Sequence, residues 1–513
     1  MKKKICFFSF LLPFLSMMAI FIGNGIYPFG DQSFMHSDMY HQYVPFLEEF
    51  VRKVRDGEPL YYSWRIGMGS NYLSLYGYYS ASPFNWLMLL LPEKYLIEFM
   101  SYMVVFKIGL CGFTFSWLLT EKFHTNDLSV LFFSTFYAMS GFVAAYNWNV
   151  MWMDTLVLAP LIVLGLEKLV FEKKYSLYCI TLGLCILSNY YLSIMVCIFL
   201  CLYFLVLVPN LFGSDGWKAF RARLLGAIGR FALFSLLAGG GLAAVLLIPE
   251  IAALHATEFS EFNFPEKINW YFSFFDVIAR HATGVSRETG LDHWPNIFCS
   301  SAVFFLIPLY IVNRKIPLKE KLGRLVLCAF FIVSFSVNTL NFIWHGFNYP
   351  DSLPARQSFL YILLVLLMFV GGCAGSTAGG LKLSRVMLLF KSCTIEVKKM
   401  LRPRCVENVR LDGKPVDGQT VYNALTYFTF YIIILLIAGL IVSLDGLDFT
   451  TNFTAALSCL SNVGPGLSLV GPTGSFSIFS PLSKIVLMIC MLLGRLEIFP
   501  LLLLFVPFTW RWK

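Results

Sequence analysis

The chain has 513 residues, 58% of them hydrophobic and 13% charged, with a mean hydropathy of +0.70, a balance that excludes a soluble globular protein. Its formal net charge of +9 is no sign of a nucleic-acid partner, because Lys and Arg gather in short connections between apolar runs, where the positive-inside bias accounts for them. The 13 cysteines lie mostly in apolar segments without a CxxC pair or a histidine at metal-ligand spacing, and Cys197 and Cys201, on one helix face, read as packing residues.

Crossing the hydrocarbon core takes about 17–25 apolar residues. The runs 5–26, 96–120, 128–146, 151–170, 175–189, 191–209, 229–249, 297–313, 323–343, 357–391, 421–443 and 480–507 therefore predict an all-α, polytopic integral membrane protein with about twelve crossing helices. Lys2, Lys3 and Lys4 precede the first run; with a weak cleavage pattern and further spans behind it, this is an uncleaved first helix rather than a signal peptide. Basic stretches at 2–4, 168–174, 218–230, 314–324, 391–404 and 511–513 fall on one side, which is expected to be cytoplasmic and to hold both termini. The segments 27–95, 250–295 and 344–356 are then left outside.

The first outward loop carries DQSFMHSDMYHQY, which sets Asp31, His36, Asp38 and His41 close together at the mouth of a helical bundle. A carboxylate there can act as a general base or, with His36 and His41, as a ligand to a divalent metal; a solvated loop is the plain alternative. Asp154, in YNWNVMWMD, stands at the outer start of a span, and NYY at 189–191 at the outer turn of another apolar run. An ionisable group at membrane depth is a functional candidate, although Asp154 can also simply cap its helix.

Further along, GGCAGSTAGG at 371–380 places five glycines inside an apolar run, each costing about 1 kcal/mol relative to alanine in a helix. Such a break is tolerated where the freed backbone is buried in protein or lines a cavity, or where two helices approach closely. Asp412-Gly413 signals a turn, with a small hairpin as its expected setting. A half-crossing segment follows at 450–461, and VGPG after it reads locally as a turn. Arg495 lies deep in the last run, where a lone arginine costs at least about 2.5 kcal/mol at the bilayer centre; Glu497 is a structural partner for it.

Two resemblances divide the chain. Residues 1–368, through MHSDMYHQY, YSWRIGMGSN, SPFNWL, NWNVMWMDTLVLAPLIVLGLEKL, LLIPEIAAL, WPNIF and IWHGFNYPDSLPARQSF, resemble the membrane half of the bacterial YfhO family, which is similar to GT-C glycosyltransferases. The resemblance implies transfer of a sugar from a polyprenyl-phosphate donor to a cell-envelope polymer such as teichoic acid at the outer face. It also implies that Asp38 deprotonates the acceptor hydroxyl and gives Asp154 a second acidic role. Arg280 and Arg356 are candidate contacts for donor phosphate, since guanidinium forks match phosphate geometry.

Residues 369–513, through GGCAGSTAGG, SNVGPGL and GRLEIFP, resemble the C-terminal part of the TrkH/KtrB potassium-uptake family. That implies a gate formed by Gly371, Gly372, Gly375, Ser376, Thr377, Gly379 and Gly380 with Arg495. It also implies a re-entrant pore half-helix at 450–460 and a filter loop of Asn462, Val463, Gly464, Pro465 and Gly466, whose backbone carbonyls coordinate a potassium ion. A family pore needs four repeats, and this stretch supplies half of the third and all of the fourth, so a single copy cannot close a filter: copies assemble, missing repeats are borrowed, or the stretch conducts nothing. A cytoplasmic nucleotide-binding gating-ring subunit is the partner the family implies. Residues 357–368 run inward, as does the helix that takes over at 369, so topology survives the joint. The expectation is a bacterial plasma-membrane protein joining two modules; a chimeric chain with neither activity complete is the alternative.

Overall fold

The structure, a computed structural model, describes residues 2–36, 38–213, 215–255, 264–282, 284–285, 294–301, 303–313, 316–346, 357–370, 392, 395, 410–411, 414–461, 468–470 and 475–496. The chain divides into two compact units, Met1–Cys373 and Ala374–Lys513, each with its own hydrophobic core.

The first unit opens with α1 (Lys2–Gly23), whose apolar length suits a crossing helix. Residues 27–95, expected as an outward loop, are largely helical: a π-helical turn at Met39–Tyr43 runs into α2 (Val44–Asp56), followed by the short α3 (Tyr72–Leu75) and a 3-10 segment at Pro83–Leu90. A partly buried charge cluster ties α2 to the segment after it. Glu49 accepts Ser63 Oγ at 2.7 Å and Arg52 Nε at 2.9 Å, and Arg52 also pairs with Glu58 at 2.7 Å. Burial raises the Glu49 carboxyl, but these partners outweigh it and hold it below the usual range. The bond from Arg52 brings Glu58 down to about 2.

The centre of this unit is α4 (Leu96–Phe123), packed against α1, α5 (Leu128–Ala138) and α7 (Trp152–Glu167). Glycines allow the closest approaches. A Cβ on Gly112 would lie 2.1 Å from the Ser9 carbonyl oxygen of α1, and one on Gly165 would lie 2.7 Å from the backbone of Tyr178 in α8 (Ser176–Ser188).

Several expected spans are interrupted, each for a local reason. The run 128–146 breaks at Met139–Ser140 before α6 (Gly141–Tyr146), with Ser140 extended. The break between the runs 175–189 and 191–209 falls where expected: Asn189 is extended between α8 and α9 (Tyr190–Leu207), and its Oδ1 accepts the Leu192 N–H at 2.9 Å, capping α9. The run 229–249 lies across a junction between α10 (Gly216–Leu237) and α11 (Ala244–His255), where three successive glycines sit in a π-helical turn, Ala238–Leu242. After α12 (Phe274–Ala279), residues 294–298 are not helical, and α13 (Val303–Val312) begins later than the run from 297 implied. The run 323–343 is divided at Val337 into α14 (Leu318–Ser336) and α15 (Asn338–Trp344), because Asn338 turns its side chain to the backbone of Lys267 and Asn269. The unit ends in α16 (Ser358–Val370), buried on every side from Ser358 to Met368, as a helix apolar all round should be.

In the second unit a two-residue antiparallel ladder, β1 (Arg410–Leu411) with β2 (Lys414–Pro415), flanks the expected turn at 412–413. Then come α17 (Gly418–Val442), α18 (Phe449–Ser461) and α19 (Pro481–Leu496). Tyr427, Tyr431, Leu435, Ala438 and Val442 form a buried stripe along α17, and they share a core with Ala455, Cys459 and Leu460 of α18 and Leu487 and Cys490 of α19. Asp448 caps α18, accepting the Thr451 N–H at 2.9 Å.

Among the described residues, six helices are long and apolar enough to cross a membrane: Lys4–Gly23, Glu93–Phe123, Leu128–Tyr146, Tyr190–Leu211, Gly216–Leu242 and Gly418–Asp445. Shorter apolar helices occupy Ser176–Ser188, Ala244–His255, Ser358–Met368 and Pro481–Gly494. The molecule is an all-α membrane protein save for the small ladder.

Candidate functional site

Two ion pairs join the parallel helices α4 and α7. Near the start of α7, the fully buried Lys107 donates to Asp154 Oδ2 at 2.9 Å, to the Val150 carbonyl at 3.0 Å and to Ser82 Oγ at 3.3 Å. About 20 Å further along α7, Lys122 pairs with Glu167, which also accepts the Tyr203 hydroxyl of α9. The second pair has further charges beside it, Lys168 with Glu121 and Arg324 with Glu320, and reads as a polar clamp.

The first pair is different in its surroundings. Asp154 Oδ1, Asn149 Nδ2 and Thr155 Oγ1 are buried without a hydrogen-bond partner, so polar capacity remains open around the carboxylate. Asn149 is positioned by the segment after α1, since Tyr43 donates its hydroxyl to Asn149 Oδ1 at 2.6 Å. Tyr43 also lies nearly parallel to Trp148, with ring centroids 6.1 Å apart, and the His36 ring lies 6.0 Å from the Trp148 ring.

Asp38 is exposed at the N-terminal end of the π-helical turn that ends in Tyr43, and it makes no capping bond. The same short element therefore presents Asp38 outward and anchors the turn leading to Asp154. Asp154 does not cap α7; it is in the first helical turn, where a carboxylate also suits the dipole, and its bond goes to α4. Asp31 is exposed. His36 Nδ1 lies 3.0 Å from the Phe34 carbonyl, and the exposed His41 packs against Tyr40. Among the described residues no three His, Cys, Asp or Glu side chains gather to hold a metal, His36 and His41 included.

Arg280 is buried, with Nε donating to the Pro295 carbonyl at 3.2 Å and Nη2 to Asn296 Oδ1 at 3.3 Å. Beside it, burial pushes the His281 imidazole down to about 4. Arg356, the gate residues Gly371, Gly372, Gly375, Ser376, Thr377, Gly379 and Gly380, and the filter residues Asn462, Val463, Gly464, Pro465 and Gly466 lie outside the described residues. Arg495 is within α19, but its side chain lies outside the description. The expected pore half-helix does correspond to a helix, α18, and the Leu469 N–H beyond the filter segment donates to Thr451 Oγ1 in its first turn at 3.3 Å.

Sequence reading passed over Lys107, Glu250 and His345. Glu250 is buried in α11 and accepts Ser74 Oγ at 3.2 Å; His345 Nδ1 meets the Tyr191 hydroxyl at 2.6 Å. Lys107 was within reach, because a lysine in the middle of the run 96–120 obeys the same rule that drew notice to Asp154.

Comparison with known proteins gives two results. Residues 9–462 match the family described as bacterial membrane protein YfhO. Over 166 residues the chain is 37% identical to the Trk system potassium uptake protein TrkH of Escherichia coli (strain K12), covering 32% of this chain and 34% of that protein. Over 150 residues it is 35% identical to the Trk system potassium uptake protein TrkG of the same strain, covering 29% of this chain and 30% of the relative. The chain thus spans about a third of the length of these relatives. The crystal structure of the potassium transporter TrkH from Vibrio parahaemolyticus aligns with a TM-score of 0.28 and 18% identity, over 92% of this chain and 100% of that one.

Proposed function

Since the chain belongs to the YfhO family of bacterial membrane proteins, we propose that residues 1–368 transfer a sugar from a polyprenyl-phosphate donor to a hydroxyl of a cell-envelope polymer at the outer face of the plasma membrane. The observation that carries this reading is that one short element bears Asp38 at its start and, through Tyr43, bonds Asn149, next to the Val150 carbonyl that the Asp154-paired Lys107 also binds. Asp38 takes the proton of the acceptor hydroxyl, whose oxygen then bonds to the anomeric carbon of the sugar. The bond from that carbon to the phosphate oxygen breaks, and its electron pair leaves with the polyprenyl phosphate. Asp154 and Lys107 keep the Asn149 turn in place, and Arg280 and Arg356 are the candidate contacts for the donor phosphate. Asp38→Asn is expected to abolish glycosylation of the polymer while leaving the protein folded, as judged by its elution in detergent. Activity retained in that variant would remove Asp38 from the reaction.

The second unit carries a separate reading, supported by the 37% identity to a potassium uptake protein. Residues 369–513 form part of a potassium path, with the gate at 371–380 and Arg495 and the filter at 462–466, completed by further copies of the chain and regulated by a cytoplasmic nucleotide-binding subunit. This joins two modules in one membrane protein. Rescue of a potassium-uptake-deficient strain at limiting potassium is the measurement; Gly464→Phe is expected to abolish it, because a bulky side chain obstructs the carbonyl-lined loop. Rescue that is unchanged in Gly464→Phe sinks the filter assignment, and a chain inactive in both assays is the chimeric alternative.

A further inference from the structure

We propose that Gln357 and Ser358, at the N-terminus of α16, form with Arg280 and Asn296 a recess that binds a phosphate group; only the identity of what the phosphate is attached to rests on the transferase reading above. Gln357 and Ser358 are both fully buried, and Gln357 Nε2, Gln357 Oε1 and Ser358 Oγ all lack a hydrogen-bond partner. Three such atoms on consecutive residues are unusual in a folded interior, where buried polar groups are almost always paired. They stand where α16 begins, since the Leu360 N–H donates to the Gln357 carbonyl at 3.1 Å. A helix start of this kind presents free N–H groups and the positive end of the helix dipole to a ligand.

The segments that carry Arg280 and Asn296 pack against this same helix. Tyr361, one turn along α16 from Gln357 and on the same face, has its ring 5.5 Å from that of His281, the neighbour of Arg280. Phe359 packs on Phe142 at 5.4 Å, while a Cβ on the adjacent Gly141 would lie 3.1 Å from the carbonyl oxygen of Asn296, the residue that holds the Arg280 guanidinium. The recess thus combines a buried cation, an amide N–H₂, a hydroxyl and a helix N-terminus. This set of donors suits phosphate oxygens, and the remaining acceptor, Gln357 Oε1, suits a hydroxyl beside the phosphate.

The test uses the full-length chain in detergent, with binding followed by calorimetry for three probes: farnesyl phosphate, farnesol and inorganic phosphate. The wild-type chain is expected to bind farnesyl phosphate and not farnesol. Gln357→Glu, which places a carboxylate against the phosphate, is expected to weaken binding at least tenfold, and Gln357→Leu and Ser358→Ala several-fold. Should Gln357→Glu fail to fold, the two neutral variants decide. Inorganic phosphate binding as tightly as farnesyl phosphate assigns the recess to a soluble phosphate; binding of farnesyl phosphate alone assigns it to a lipid-linked one. The proposal is overturned if the variants bind as the wild type does, if farnesol binds equally well, or if neither phosphate probe binds. Asp38→Asn separates the two readings: transfer that persists in Asp38→Asn alongside phosphate binding lost in Gln357→Leu leaves the recess standing without the proposed base.

Discussion

Lys107 uses its three ammonium protons on three acceptors inside the bundle, one of them a carboxylate from another helix. A buried pair of this kind contributes little net stability compared with two apolar residues, yet losing one partner strands a charge in a low dielectric. Lys107→Met is therefore expected to destabilise the protein by about 3–5 kcal/mol, whereas Lys107→Met with Asp154→Leu recovers most of that loss. Thermal unfolding in detergent measures both; a double variant no more stable than the single one would mean that packing, not charge, dominates the site. Asp154 was legible in the sequence as an ionisable group at a span terminus. Its partner was not, because 47 residues separate the two and nothing local joins them.

At the scale of elements, the apolar runs marked where helices lie better than where they stop. Hydropathy does not register a side chain that competes for backbone hydrogen bonds, so Asn338 divides a run, 323–343, that looks continuous. The helix contacts depend on residues with no side chain at all. Gly112→Ala would press a methyl group into the Ser9 backbone, and Gly165→Ala into that of Tyr178. Each is expected to cost about 1–3 kcal/mol by overpacking. Gly229 in α10 has open space around its Cβ position, so Gly229→Ala is the control and is expected to be neutral or to stabilise by up to about 1 kcal/mol through helix propensity. Equal losses at all three positions, measured by thermal unfolding, would show that close approach is not what makes Gly112 and Gly165 necessary.

For the whole molecule, the basic connections predict which end of the bundle faces the cytoplasm. Trp64 is 77% exposed and Trp217 is 69% exposed, the first in the segment expected outside and the second beside the basic stretch 218–230. In intact cells a membrane-impermeant maleimide is expected to label Trp64→Cys directly and Trp217→Cys only after permeabilisation; the reverse pattern overturns the orientation. Membrane residence, helical class and the polar segment with Asp38 all follow from the sequence by itself, because apolar run length and charge placement are local properties that the bilayer reads directly. Only the tertiary structure decided that Lys107 meets Asp154, that Tyr43 holds Asn149 and that the polar ends of Gln357 are buried without partners. Those facts depend on how helices distant in sequence pack side by side, and neither hydropathy nor spacing along one chain carries that information.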